Sequence, residues 1–274
     1  PVSLIVLPDR TLYVFGGKQQ TWRWQPLTGE VIWRDYATKS GDRAISADGS
    51  RLAACLPDGV EIYTFADQST QLLPRCRTSS VLAFSPAGEI LAQSQSAQIN
   101  TISLSDGALL HNYLFQMKPV AWFRFSPDGS FLASGGYGQR GAGDLHLWKM
   151  TEPAGKVNLE PDGTQWAVSD VVFSSDNRYM IAARQKIWIW DLTTGLCKGS
   201  LPGTGLVLAI SPDDQLLAVG DYRGEIRFIS LADRKEIFTF QAHSSNILDM
   251  AFTQDGANLI SLGSKGDVRL WGLP

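Results

Sequence analysis

The chain has 274 residues, 24 Lys and Arg against 27 Asp and Glu, a net charge of −3, and 44% hydrophobic with 19% charged residues. That balance excludes a disordered chain and a strongly basic nucleic-acid-binding surface, so no nucleic-acid partner is expected. No apolar run approaches the roughly 18 residues of a membrane-spanning helix, and Cys55, Cys76 and Cys197 are too scattered for a disulfide framework or a zinc site, so no membrane partner, no cofactor and buried free thiols are expected.

The chain opens on an apolar run, Val2–Val6, followed by a turn at Pro8-Asp9. The same figure returns at Ala47-Asp48-Gly49 and Pro86-Ala87-Gly88. The fullest copy is Phe125-Ser126-Pro127-Asp128-Gly129, followed by Phe131-Leu132-Ala133-Ser134 and Leu145-His146-Leu147-Trp148. Three more turns fall at Ser175-Asp176-Asn177, Pro212-Asp213-Asp214 and Gln254-Asp255-Gly256. Anchored at residues 8, 47, 86, 127, 175, 212 and 254, the units repeat at a period near 40. In the fifth unit, alternation and β-rich composition predict strands at Val168–Phe173, Tyr179–Ala183, Lys186–Trp190 and Leu196–Leu201. In the sixth they predict Leu206–Ile210, Leu216–Val219, Glu225–Ile229 and Glu236–Phe240. A second register supports the first. The aromatic or apolar slot closing each third strand falls at Trp24, Tyr63, Ile102, Trp148, Trp190, Ile229 and Trp271.

One four-stranded sheet cannot bury both faces alone, whereas several packed face to face can. The expectation is an all-β chain, a seven-bladed β-propeller of four-stranded antiparallel blades, forming one domain over residues 1–274 with no helix. One blade is short of a strand, because only Gly272, Leu273 and Pro274 follow the last slot at Trp271. Three closures are open: Val2–Val6 pairs there, a segment outside the sequence does so, or a partner adds a strand.

Ile187-Trp188-Ile189-Trp190-Asp191-Leu192-Thr193-Thr194-Gly195 resembles the Trp-Asp end of a WD repeat, and His243 stands where that family carries its Gly-His. The resemblance covers essentially the whole chain. It implies a propeller that serves as a platform for other proteins. It also implies a hydrogen-bonded tetrad of His, Ser or Thr, Asp and Trp. The last repeat offers His243, Ser261 and Trp271, with Lys265 at the place expected for the Asp. The copies are degenerate, since only Trp190-Asp191 keeps the dipeptide.

Gly136-Tyr137-Gly138-Gln139-Arg140-Gly141 has the spacing of a dinucleotide-binding loop, but it leads into the strand-like Asp144–Trp148 rather than a helix, so an extended loop is expected. His111, His146 and His243 have no HExxH, CxxC or GxSxG around them, so no catalytic residue is expected. His146 reads as a surface or inter-blade polar group and His243 as structural. The turn aspartates read as caps of their own backbone.

By the family's geometry, Ser3, Asp42, Val81, Trp122, Asp170, Val207 and Asp249 line one end of the inner strands. The same face should collect Tyr137 and Arg140 from one loop, Trp166 from another, then Tyr222, Arg223, Asn246 and Lys265. The expected partner-binding set is Trp122, Tyr137, Arg140, Trp166, Asp170, Tyr222, Arg223 and Asp249, because Trp, Tyr and Arg anchor interfaces. The expected function is a non-catalytic, cytoplasmic, monomeric scaffold that binds a protein partner or another domain of its own chain. The alternatives are a regulatory or sensor propeller domain of a larger multidomain enzyme, and a propeller enzyme with a central pocket.

Overall fold

The computed structural model describes residues 3–7, 11–15, 20–25, 28, 30–36, 43–73, 81–95, 98–114, 120–136, 145–151, 155–157, 159, 168–183 and 185–273. None of these is helical. The first sheet holds β1 (Ser3–Val6), β2 (Leu12–Phe15), β3 (Gln20–Gln25) and β4 (Glu30–Tyr36). The second holds β5 (Arg43–Ile45), β6 (Arg51–Leu56), β7 (Gly59–Thr64) and β8 (Thr70–Leu73). The third holds β9 (Leu82–Phe84), β10 (Ile90–Gln95), β11 (Gln98–Ser103) and β12 (Leu109–Leu114). The fourth holds β13 (Val120–Phe125), β14 (Phe131–Gly136), β15 (Leu145–Lys149) and β16 (Lys156–Val157). The fifth holds β17 (Asp170–Phe173), β18 (Tyr179–Ala183), β19 (Ile187–Asp191) and β20 (Leu196–Leu201). The sixth holds β21 (Val207–Ile210), β22 (Leu216–Gly220), β23 (Glu225–Ser230) and β24 (Lys235–Gln241). The seventh holds β25 (Ile247–Phe252), β26 (Asn258–Gly263) and β27 (Val268–Gly272). Each sheet pairs its strands antiparallel in chain order, so the fold is the expected all-β, seven-bladed β-propeller.

The repeat seen in the sequence becomes one shared rung in the sheets. Trp24, Tyr63, Ile102, Trp148, Trp190, Ile229 and Trp271 lie across from Leu12, Leu52, Leu91, Leu132, Met180, Leu217 and Leu259. All seven partners on the second strand are buried, and each contributes about 1.5–3 kcal/mol by leaving water.

The turns repeat at atomic level as well. The hydroxyls of Ser46, Ser126, Ser174, Ser211 and Thr253 donate to Asp48, Asp128, Asp176, Asp213 and Asp255 at 2.5–2.7 Å. The same hydroxyl oxygens accept the N–H of the residue five further on at 2.9–3.0 Å. At the third turn Ala87 stands in the Asp place, and only the Ile90 N–H to Ser85 Oγ bond remains. The aspartates are thus backbone caps.

Four of these carboxyls lie below the ordinary value. At Asp176 and Asp213 the Ser174 and Ser211 hydroxyls are the leading cause. At Asp48 and Asp128 burial pushes the carboxyl up, and the Ser46 and Ser126 hydroxyls with the neighbouring N–H groups more than offset it. A carboxyl held low when folded stabilises the fold above its unfolded value of about 3.9, and that contribution is lost as pH falls through the folded value. The urea midpoint should therefore drop between pH 5 and pH 3, and by less in a Ser126→Ala, Ser174→Ala double variant. An equal drop in both proteins would overturn the assignment.

The chain divides into two compact units, residues 1–36 with 168–274, and residues 37–167. The first holds sheets five, six, seven and one, whose inner strands β17, β21, β25 and β1 neighbour one another in that order. The second holds sheets two, three and four. Apolar seams between sheets form the core. Ile181, Ile187 and Leu201 meet Leu208 and Leu217 in one seam. Ala53, Val60 and Leu73 meet Leu82 and Phe84 in another.

One of the three open closures is eliminated, and one expectation is corrected. The seventh sheet has three strands, and β1 is the inner strand of a complete first sheet, so Val2–Val6 does not close β27. The reason is register: Ser3–Val6 is fully matched to Leu12–Phe15. In addition, Cys55 is disulfide-bonded, its partner lying outside the described residues, and Cys197 is free and partly exposed rather than buried. A cross-link made by single, unpatterned cysteines has no local sequence signal.

Candidate binding surface

Between β22 and β23 the chain must reverse over Asp221–Gly224. Asp221 Oδ1 accepts the N–H groups of Arg223 (2.8 Å) and Glu225 (2.9 Å), which caps the turn. Gly224 has φ +84°, and a Cβ there would lie 2.2 Å from the His243 carbonyl oxygen and 2.5 Å from that of Ser245, so only glycine fits. The N–H groups of Ala242 and His243 both donate to the Gly224 carbonyl at 2.9 Å. Gln241 Nε2 donates to the carbonyls of Arg223 (2.8 Å) and His243 (2.6 Å). This anchored turn displays Tyr222, 61% exposed, with the Arg223 guanidinium 5.4 Å from its ring centroid. The neighbouring turn at 264–267 joins the same loop, since Ser264 N–H donates to the Asn246 carbonyl and Lys265 Nζ to Ser244 Oγ. Tyr222, Arg223, Asn246 and Lys265 are therefore brought to one end of the first unit.

Beneath them lies a four-residue chain. Asp267 Oδ2 is 2.6 Å from His243 Nδ1, His243 Nε2 is 2.6 Å from Ser261 Oγ, and Trp271 Nε1 donates to Ser261 Oγ at 2.9 Å. With a neutral His243, one proton serves each link: indole to hydroxyl, hydroxyl to imidazole, imidazole to carboxylate. The His243 hydrogen bond holds the Asp267 carboxyl below its ordinary value. The tetrad is complete, and its carboxylate is Asp267, not the position of Lys265. β26 ends at Gly263 and β27 starts at Val268, so the last residue of the turn, rather than its middle, sits against His243. An Asp-His-Ser line resembles a hydrolase triad, but Ser261 is 0% and His243 1% exposed, and the hydroxyl already receives the indole N–H. No substrate reaches that oxygen, and the arrangement is a clasp.

The other expected residues divide. Asp170 and Asp249 are buried, at 6% and 8% exposed. Asp170 accepts the N–H groups of Val171 (2.9 Å) and of Leu208 on the next sheet (2.9 Å). Asp249 does the same with Met250 (2.9 Å) and with Leu4 of the first sheet (2.8 Å). These carboxylates fasten neighbouring inner strands and offer little to a partner. In the second unit Trp122 is half-buried. Its ring lies on Gly135, where a Cβ would be 2.2 Å from Cζ2. Tyr137, Arg140, Trp166 and Asp42 lie outside the described residues, as does most of the glycine-rich loop, which is flanked by strands β14 and β15. His146 is 3% exposed, its ring 5.7 Å from that of Trp148, so it is buried rather than on the surface. Among the described residues no group of three or more His, Cys, Asp or Glu is placed to hold a metal ion.

Comparison with known proteins bears out the repeat class. Residues 234–272 match the family model described as WD domain, G-beta repeat. The chain is 22% identical over 203 residues to WD repeat-containing protein 1 of Xenopus tropicalis, covering 70% of this chain and 32% of that protein. It is 27% identical over 132 residues to the APC/C activator protein CDC20 of Saccharomyces cerevisiae, covering 46% and 21%. Autophagy-related protein 16 of Arabidopsis thaliana is 24% identical over 95% of this chain and 53% of its own length. Among solved structures, a chain of Kuenenia stuttgartiensis hydrazine synthase superposes with a TM-score of 0.78 over 100% of this chain and 95% of that one, at 13% identity, a likeness of fold alone. Sequence, sheet register and tetrad together fit a WD-repeat propeller. The chain spans about a fifth to a third of the length of the first two relatives.

Proposed function

We propose that this chain is a non-catalytic platform that docks a protein partner on the rigid end of its first unit. WD-repeat propellers generally bind protein partners and work as scaffolds. The observation that carries the reading here is Tyr222, an exposed aromatic stacked beside Arg223 on a turn whose backbone is fixed from both sides. A preformed aromatic and guanidinium pair loses little entropy on binding. The single charge balance of −3 gives no counterion-release drive toward nucleic acid, which keeps the reading with proteins. The chain's small share of its relatives' length favours a second reading, a propeller domain within a larger protein whose partner is another domain of that protein. The disulfide at Cys55 supports an oxidising compartment over the expected cytoplasm, since structural disulfides persist there.

Tyr222→Ala and Arg223→Ala should each weaken capture of the partner about 10-fold, which is about 1.4 kcal/mol. Both side chains point outward, so the melting temperature should stay unchanged. Quantitative mass spectrometry of proteins retained by wild type and variants reads the effect. Equal retention by folded variants would remove this surface from consideration.

A further inference from the structure

Sheets five, six and seven turn between their second and third strands at residues 185–186, 221–224 and 264–267, and each turn presents one exposed cation: Lys186, Arg223 and Lys265. The turns are held side by side. Ser169 Oγ bridges the carbonyls of Ala183 (2.9 Å) and Gly205 (3.2 Å), and the Leu206 N–H donates to the Gly220 carbonyl at 2.8 Å. On the other side the Ile247 N–H donates to the Asp221 carbonyl at 3.1 Å, next to the link between Ser264 and Asn246. The Lys186 ammonium stands 5.6 Å from the Trp188 ring centroid, much as the Arg223 guanidinium stands beside Tyr222. The acidic side chains at this end are withdrawn. Asp221 is occupied with its own turn, Asp267 with His243 and, at 3.3 Å, with Arg269, and Glu225 is half-buried at the start of β23. Asp170 and Asp249 are buried on backbone N–H groups. Among the described residues of these turns and of the connections between them, every fully exposed charge is therefore positive. The opposite end of the same sheets mixes the signs: Asp176, Asp213, Asp233 and Asp255 are exposed beside Arg178 and Arg234.

We propose that the Tyr222 surface selects an acidic segment of another protein, with Asp or Glu side chains on Lys186, Arg223 and Lys265 and an apolar or aromatic side chain on the Tyr222 ring. The surface is the docking surface already proposed, and its acidic preference rests on that reading. Complementary charge across an interface speeds association and rejects partners of the wrong sign. The described residues bring no exposed acid of their own to this end, so the cations are left to a partner. Counterion release grows with the number of phosphates neutralised, and three cations supply too little of it to favour a nucleic acid.

The probes are three synthetic heptapeptides, capped at both ends and labelled, with a central Phe flanked by Ser and by no, two or four Glu. Affinity for the full-length protein, read by fluorescence anisotropy, should rise about tenfold from no Glu to four. Raising the salt from about 0.05 M to about 0.5 M should erase that gain, because the screening length falls below ~5 Å. Lys186→Glu and Lys265→Glu together should weaken the four-Glu peptide about tenfold and leave the Glu-free peptide unchanged, while Lys186→Gln with Lys265→Gln should fall between. All four substitutions are at exposed positions, and an unchanged melting temperature confirms that the variants fold. Equal affinity for the three peptides, or for the four-Glu peptide in wild type and the charge-reversed variant, would overturn the proposal. No binding of any peptide to the full-length protein would do the same. So would a single-stranded oligonucleotide that displaces the four-Glu peptide better than the unlabelled peptide does, since the cations would then serve phosphates. The docking reading is judged apart from this, by the proteins that wild type retains. If Tyr222→Ala loses them while the charge-reversed variant keeps them, docking stands and the acidic preference falls. If both variants keep them, both readings fall.

Discussion

Trp190→Ala should cost about 3–5 kcal/mol, the penalty for removing a fully enclosed indole from a packed core. Trp190 is 0% exposed and lies across from Met180 on the shared rung. Its environment differs from that of its counterparts in one atom. Trp148 Nε1 donates to Ser134 Oγ at 2.8 Å, and Trp271 Nε1 to Ser261 Oγ at 2.9 Å. In the fifth sheet the place of Ser134 and Ser261, two residues past the rung, is taken by Ala182, and the Trp190 indole N–H meets no acceptor among the described residues. Hence Trp190→Phe should be far milder than Trp190→Ala, because it discards the orphan donor while keeping most of the volume. Ala182→Ser should gain about 1 kcal/mol by supplying the missing acceptor. Urea unfolding of the three variants checks the order: serine above wild type, phenylalanine near it, alanine well below. Phenylalanine as damaging as alanine would mean that the indole nitrogen has a partner after all.

The second large effect concerns Asp249. Replacing it by alanine strips the acceptor from two buried N–H groups, those of Leu4 and Met250. Hydrogen bonds to a charged group are worth about 1.5–3 kcal/mol each, so the loss should be on the order of 3 kcal/mol. For a chain of this size that corresponds to a melting temperature lower by roughly 6–12 °C. Asp249→Asn keeps one carbonyl oxygen and should cost less. Amide exchange at Leu4 should quicken selectively in the alanine variant. Unchanged exchange there would mean that the carboxylate does not fasten the two sheets.

The fold was legible because its signals are local. Alternation, Asp-Gly turns and a slot every forty residues placed Tyr179–Ala183 and Leu196–Leu201 at their observed bounds and the other strands of the fifth and sixth units within two residues. His243, Ser261 and Trp271 were legible as clasp members only through the resemblance to the WD repeat. Asp267 was missed because the turn length, not the residue type, decides which side chain reaches the imidazole. Asp170 and Asp249 looked like partner-binding residues because the family's geometry places their slots at one end of the inner strands. Their partners are backbone N–H groups on other sheets, and a backbone group leaves no trace in the sequence. The Cys55 disulfide left no local signal, whereas the three-stranded seventh sheet was legible from the strand count.

The two carboxylate fasteners differ greatly in the length of chain they close. Asp170 reaches Leu208 across 38 residues, whereas Asp249 reaches Leu4 across 245. Loop-closure entropy grows as the logarithm of length, so the longer clasp costs about 1.6 kcal/mol more to form before any neighbouring contacts are made. It is therefore a late event on the folding path. A bond absent from the transition state governs how fast the protein comes apart and not how fast it assembles. Asp249 acts, in kinetic terms, as a latch on the lifetime of the native state: its loss should speed unfolding while leaving the refolding rate almost untouched.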